Sequence, residues 1–438
     1  MKMSQNNSNQ LFLFLLITAV FLFIPFSTVM ASPFAYITNV ADGSVSVIDT
    51  ATNTVTATVI VGTYPEGVAV NPGGTRVYVT NAGSDSVSVI DTSTNTVIAT
   101  VTVGDYPEGA AVNPAGTYVY VANNAHGTVS VIDTGTSTVT ATVTVGNNPF
   151  GVVVNPGGTY AYVTNIGDNT VSVIDTATNT VTATVSVGNY PRGIAVNPTG
   201  TRVYVVNSAD NSISIIDTST NTVTATVSVG SDPFGAAVHP AGTYLYVTNV
   251  GGDSVSVIDT STNTVTATVA VGNDPNGIAI NPAGTRVYVA NFLDDNVSVI
   301  DTSTNTALTT VTVGNEPIAL GNFIGPVMPV TPADIQFTGL TTSLSATPHP
   351  GDSITVTANC IGPGTIYYKF WYRAGYGTSA YDTNPWEVMQ NFTTSNVCTY
   401  VFPTAGHYII VVWGVTDTTN VDPDSVPLIG TDITVENP

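Results

Sequence analysis

Two glutamates, Glu66 and Glu108, each fill the middle of a Pro-x-Gly triplet, 42 residues apart. Paired carboxylates are what general acid–base chemistry uses, provided one holds a proton that the other lacks. The same place in further triplets is taken by Phe150, Arg192, Phe234 and Asn276, and by Ile318 where the glycine becomes Ala319. The residue before each proline varies as well: Tyr64, Tyr106, Asn148, Tyr190, Asp232, Asp274 and Glu316. If these triplets form a ring, Glu316 neighbours Glu66. An acidic arc then runs through Asp232, Asp274, Glu316, Glu66 and Glu108, with Phe150, Arg192 and Phe234 facing it. Aromatic rings beside carboxylates suit sugars, amines or an extended peptide; a solvated rim without a ligand is the alternative. Two exposed acids on adjacent repeats give no reason for split pKa values.

Other chemistry is sparse. The histidines are His126, His239, His349 and His407, with no CxxCH haem site and no ring-lining set. There is no Gly-x-Ser-x-Gly elbow and no phosphate loop, and neither a cofactor nor a metal is expected. The only lysines are Lys2 and Lys369, and acidic residues outnumber basic ones 29 to 7. A duplex-binding surface needs clustered cations, so nucleic acid is excluded. Asn296-Val297-Ser298 and Asn391-Phe392-Thr393 match glycosylation acceptors.

The positioning elements repeat. Val-Ile-Asp-Thr or its close variant recurs with its aspartate at 49, 91, 133, 175, 217, 259 and 301, always 42 apart. Each unit reads as four short strands: an apolar one after Pro-x-Gly, one around Tyr-Val-x-Asn, one alternating with period two, and a Thr/Val-rich one. Four antiparallel strands at this period make a propeller blade. The seven aspartates open turns on different blades and cannot converge on one ion. The repeat tyrosines read as packing between blades, and Asn39 with its equivalents as loop fasteners. The region opens with a second strand at Phe34 and closes with a first strand at 317–323. One blade should therefore join both ends, leaving no open edge. The Pro-x-Gly loops and the variable loops after Tyr-Val-x-Asn share a face, whereas the Asn-Pro and Asp-Thr turns opposite are nearly constant. Any ligand is expected at the Pro-x-Gly face.

Tyr78-Val79-Thr80-Asn81, Tyr162-Val163-Thr164-Asn165 and Tyr246-Val247-Thr248-Asn249 resemble the signature of YVTN-family β-propeller repeats. The resemblance implies an all-β, seven-bladed ring over 32–325. It is closest in kind to archaeal surface-layer and cell-surface proteins, in which an immunoglobulin-like domain follows. Related rings also serve as dehydrogenase subunits, lactonases, haem proteins and binding modules.

Residues 1–31 read as a signal peptide: Lys2, a 16-residue apolar run over 11–26, then Val29-Met30-Ala31 ahead of cleavage at Ser32. An uncleaved anchor is the alternative. No other segment could enter a membrane. Residues 326–334 form a Pro-rich linker. Residues 335–438 read as an Ig-like sandwich, with 400–412 similar to the last hairpin of PKD-like domains. Cys360 and Cys398 are expected to pair there in a disulfide. Together these features predict a secreted or cell-surface, non-catalytic adhesion or structural module whose partner is a cell-envelope protein or glycan. The alternative is a propeller enzyme, a polysaccharide or lactone hydrolase or lyase, using the rim carboxylates.

Overall fold

A computed structural model describes residues 29–31, 33–325 and, beyond them, the strands lying between 328 and 435. It divides into Met30–Pro329 and a second unit comprising Met1–Val29 with Val330–Pro438. The first contains seven blades. Six are continuous four-stranded antiparallel sheets in simple chain order; blade 2, for example, is built from Pro65–Val70, Arg76–Asn81, Ser86–Asp91 and Thr96–Thr102.

The sequence pattern explains this layering. In blade 2 the second and third strands are buried on both faces because neighbouring blades cover them. The outer strand Thr96–Thr102 buries only Val101 fully and turns its threonines to solvent. Tyr78 packs with Val87 and Val89 of its own blade and Val119, Val121 and Ile132 of the next. Each large apolar side chain buried in this way contributes about 1.5–3 kcal/mol. The repeat aspartates are turn residues, as expected: Asp91 Oδ1 accepts from the Ser93 amide at 2.9 Å and from Ser93 Oγ at 2.5 Å. The repeat asparagines fasten loops. Asn81 donates to Ser86 and Ser88 and accepts from the Gly62 amide at 3.0 Å.

Blade 1 closes the ring. Its strands Phe34–Asn39, Ser44–Asp49 and Thr54–Ile60 are joined by the segment 317–325 from the far end of the repeats. Ile318 N donates to Thr38 O (3.0 Å), Tyr36 N to Phe323 O (2.9 Å) and Gly325 N to Phe34 O (2.9 Å). Past Ala319, at φ 49°, the segment also turns sideways onto blade 2: Val68 N donates to Leu320 O (2.7 Å) and Leu320 N to Glu66 O (3.1 Å). Phe323 is fully buried in the core joining blades 7, 1 and 2.

The second unit holds two antiparallel sheets, one containing Gln336–Thr342, Ser353–Ile361 and Val397–Val401 and one of four strands. The predicted Ig-like or PKD-like packing lies outside the described residues. Cys360 and Cys398 fall on adjacent strands, but Cys398 is opposite Val356, four residues from Cys360. The side chains of these strands, and with them the expected disulfide, lie outside the described residues. The Asn296 acceptor is also internal: Ser298, which completes it, is 1% exposed inside blade 7.

Candidate functional site

Six Pro-x-Gly triplets and Pro317-Ile318-Ala319 converge on the ring axis. Where the strands run regularly from blade to blade they come so close that a side chain does not fit at the glycine: a Cβ on Gly109 would stand 2.5 Å from Phe150 O, and one on Gly67 2.3 Å from Glu108 O. Threonines bridge neighbouring blades here. Thr80 Oγ1 accepts from Gly67 N (2.7 Å) and donates to Glu108 O (2.6 Å). Thr38 Oγ1 donates to Glu66 O (2.9 Å) and accepts from Ala319 N (2.8 Å). Thr164 and Thr248 do the same for Arg192 O and Asn276 O, both at 2.8 Å. Thus both glutamates hang from backbone fixed by the preceding blade. Sequence reading missed these threonines; their signal is the alternation of Thr with Ala or Val at the third place of Tyr-Val-x-Asn.

The side chains at x do not share one depth, which corrects the expectation of an exposed rim. Glu66 and Arg192 are half-buried, but Glu108, Phe150, Phe234 and Asn276 are buried. Inward-pointing side chains around a narrow axis fill it. Phe150 and Phe234 meet edge to face, centroids 5.7 Å apart at 85°, and join Leu320 in an apolar plug. They belong to the packed interior and are no open stacking surface. Beneath the plug the channel holds a cavity of about 370 Å³ walled largely by glycine, alanine, valine and isoleucine.

Glu108 is the outlier. It is 5% exposed, its Oε2 has no hydrogen-bond partner, and Glu66 stands beside it. Burial first, then a hydrogen bond with Glu66 and repulsion from its charge, push the Glu108 carboxyl well above the usual carboxylate range; Arg192 pulls the other way. Burial thus supplies a reason for a raised Glu108 carboxyl that two exposed acids would lack. Tyr106 is pushed up too, by the charge of Glu66 foremost, then by burial, Glu108 and Tyr64.

Across the mouth, Arg192 Cζ lies 5.0 Å from the Tyr190 ring centroid and 4.8 Å from that of Phe234, with Nη1 3.7 Å from Asp232 Oδ1. Asp232 also accepts from Ser208 Oγ. Asp274 is raised by burial, then by Asp232 and Asp253. Asn276 Nδ2 leans back on Asp274 O at 3.3 Å. Glu316 is half-buried, its amide held by Asp295 Oδ1 at 2.9 Å. The loop aspartates are braces: Asp42 takes the amide and side chain of Asn315, and Asp85 the amide of Tyr106.

Comparison with known proteins agrees with the fold and changes the functional expectation. A family model described as "Lactonase, 7-bladed beta-propeller" matches residues 25–150 and 133–231. A second, "Cytochrome D1 heme domain", matches 199–317. No curated protein matches the chain. Among solved structures, Kuenenia stuttgartiensis hydrazine synthase is 28% identical, with TM-score 0.57 over 61% of this chain and 92% of that one. A functionally unknown protein from Desulfotomaculum acetoxidans is 17% identical, TM-score 0.58, over 66% of this chain and all of that one. Dihydro-heme d1 dehydrogenase NirN is 15% identical, TM-score 0.51, over 67% and 75%. The last two bear on fold alone. The matched families and the hydrazine synthase are enzymatic or haem-related propellers, which contradicts the expected non-catalytic surface module.

Haem was tested against the donor set. No histidine, cysteine or methionine lies in the described channel wall. His126 pairs with Asp105 at 3.2 Å in a loop, and His239 sits in an Asn-Pro-type turn against Gly284 O at 3.0 Å. The raised Tyr106 phenol is the wrong direction for a phenolate ligand. The described residues do not fit an axially held haem. Nor do they contain a group of three or more His, Cys, Asp or Glu side chains able to hold a metal ion.

Proposed function

We propose that the propeller is a hydrolase of cyclic esters, acting at the Pro-x-Gly face with Glu66 and Glu108 as the reacting pair. The observation that carries this is Glu108: a buried carboxyl with an unpartnered oxygen, pushed up in pKa by burial, beside the more exposed Glu66. The lactonase-family match over the blades that hold both glutamates supports the choice of ester.

Opening a lactone adds water to the carbonyl and breaks the acyl–oxygen bond. The water must lose a proton and the departing alkoxide must gain one. Glu66 takes the proton from water; the proton held by the pair goes to the ring oxygen. The product is a hydroxy acid. Arg192 is the cation whose field reaches Glu108. The full chain should hydrolyse a simple δ-lactone. Glu66→Gln and Glu108→Gln should each lose about 10²–10⁴-fold in rate, the usual worth of a positioned acid or base. Unchanged rates in both variants would remove the assignment. We place the activity outside the cell, supported by the apolar run over 11–26 and the small residues after it. Sequencing of natively exported protein should read from Ser32, and an intact Met1 in a membrane fraction would refute export with cleavage.

A further inference from the structure

Resting on the reading of this cluster as the substrate site, we infer that the ring it accepts carries no anionic group and lies against Tyr64 and Tyr106. The residue before each Pro-x-Gly proline is left-handed in all seven blades, φ 47–58°. That conformation favours Gly or Asn, and Asn148 fills it in blade 4 at φ 50°. Tyrosine there needs a reason. Tyr190 has one, since its ring backs Arg192. Tyr64 and Tyr106 do not: they are 56% and 44% exposed, on the two blades that carry the glutamates. Tyr106 lies near enough to the pair for the field of both glutamates to act on it, and Tyr64 is near Tyr106. Gly83 leaves room for the Tyr64 ring, because a Cβ there would meet Tyr64 Cδ2 at 2.4 Å. Two aromatic faces held out beside a buried, unpartnered carboxyl oxygen form a surface for the C–H face of a saturated ring.

Charge sets what that ring can carry. Glu66, Asp232, Asp274 and Glu316 stand around the mouth, and Arg192 is the one cation there among the described residues. Its guanidinium is already stacked on two rings and paired with Asp232. The other described arginines are engaged elsewhere: Arg76 with Thr134 O, Arg202 with Thr260 O and Arg286 with Asp301. A phosphate or carboxylate on the substrate meets a negative field with no unpaired cation to receive it.

The test is calorimetric binding of δ-valerolactam, an uncharged ring that resists hydrolysis, against its ring-carboxylate derivative, using the full chain. The lactam should bind at least about tenfold tighter at low ionic strength, with the gap narrowing in high salt because exposed charges are screened. Tyr64→Asn and Tyr106→Asn should each weaken the lactam several-fold without lowering the melting temperature, since Asn suits this backbone. Asp274→Asn with Glu316→Gln should raise affinity for the carboxylate ring. The inference fails if the carboxylate binds as tightly as the lactam, if neither binds, or if the tyrosine variants bind like the parent. Binding is read without turnover. A chain that binds lactam but opens no lactone loses the hydrolase reading only; one that opens lactones but prefers anionic rings loses this inference only.

Discussion

Glu108 differs from Glu66 in depth, and depth makes the chemistry. A carboxyl raised by burial contributes to stability while protonated. That contribution is complete below the unfolded-state pKa and is lost as pH rises through the folded-state value. The turn aspartates oppose this, since hydrogen bonds from neighbouring hydroxyls and amides lower Asp91, Asp217 and Asp259, whose contribution is lost as pH falls. The difference between parent and Glu108→Gln isolates one group. Denaturant midpoints across pH should converge in acid and diverge in base, with the glutamine variant the more stable at high pH; parallel curves would deny that Glu108 ionises late. The sequence identified the variable x positions but could not reveal their depth. Alternation assigns a side chain to the axis, whereas crowding there depends on Phe150, Phe234 and Leu320 arriving from blades 4, 6 and 1. The same crowding turns Phe150 and Phe234 from ligand surface into core.

At the scale of elements, the inner strand is held by contact that a single repeat cannot show. Strand order, the Asp turns and the Asn fasteners were legible because they act within one unit. The Thr80 bridge and the glycine approach join one unit to the next, so their reason appears only when blades stand side by side. Gly109 has an ordinary negative φ, and only its closeness to Phe150 O forbids a side chain. Gly109→Ala should therefore cost about 1–3 kcal/mol, as overpacking does. Gly73→Ala, in an open turn whose nearest neighbours stand 3.8 Å away, should be close to neutral. Equal melting temperatures for the two variants would contradict the packing account.

For the whole molecule, closure and function share a joint. The closing segment pins Glu66 O through Leu320 N and, with Thr38, completes blade 1. Deleting 317–323 should remove the buried Leu320 and Phe323 and cost on the order of 5 kcal/mol, at ~1.5–3 kcal/mol for each large apolar side chain plus lost backbone bonds. Hydrogen exchange should then rise first in blades 1 and 2; protection unchanged there would show that the ring holds without its clasp. The end phases of the repeats foretold this joint. The sideways turn onto blade 2 was not foretold, since it follows from the left-handed Ala319 standing where other blades have glycine.

The pH dependence of kcat/KM for δ-lactone hydrolysis by the full chain, set beside that of Glu108→Gln, tests the central claim most directly. The account predicts a fall in the parent as pH rises through the raised value of Glu108, and a glutamine variant that is slow throughout and lacks that limb. A parent profile that keeps rising with pH, or a variant that retains both rate and limb, would contradict it.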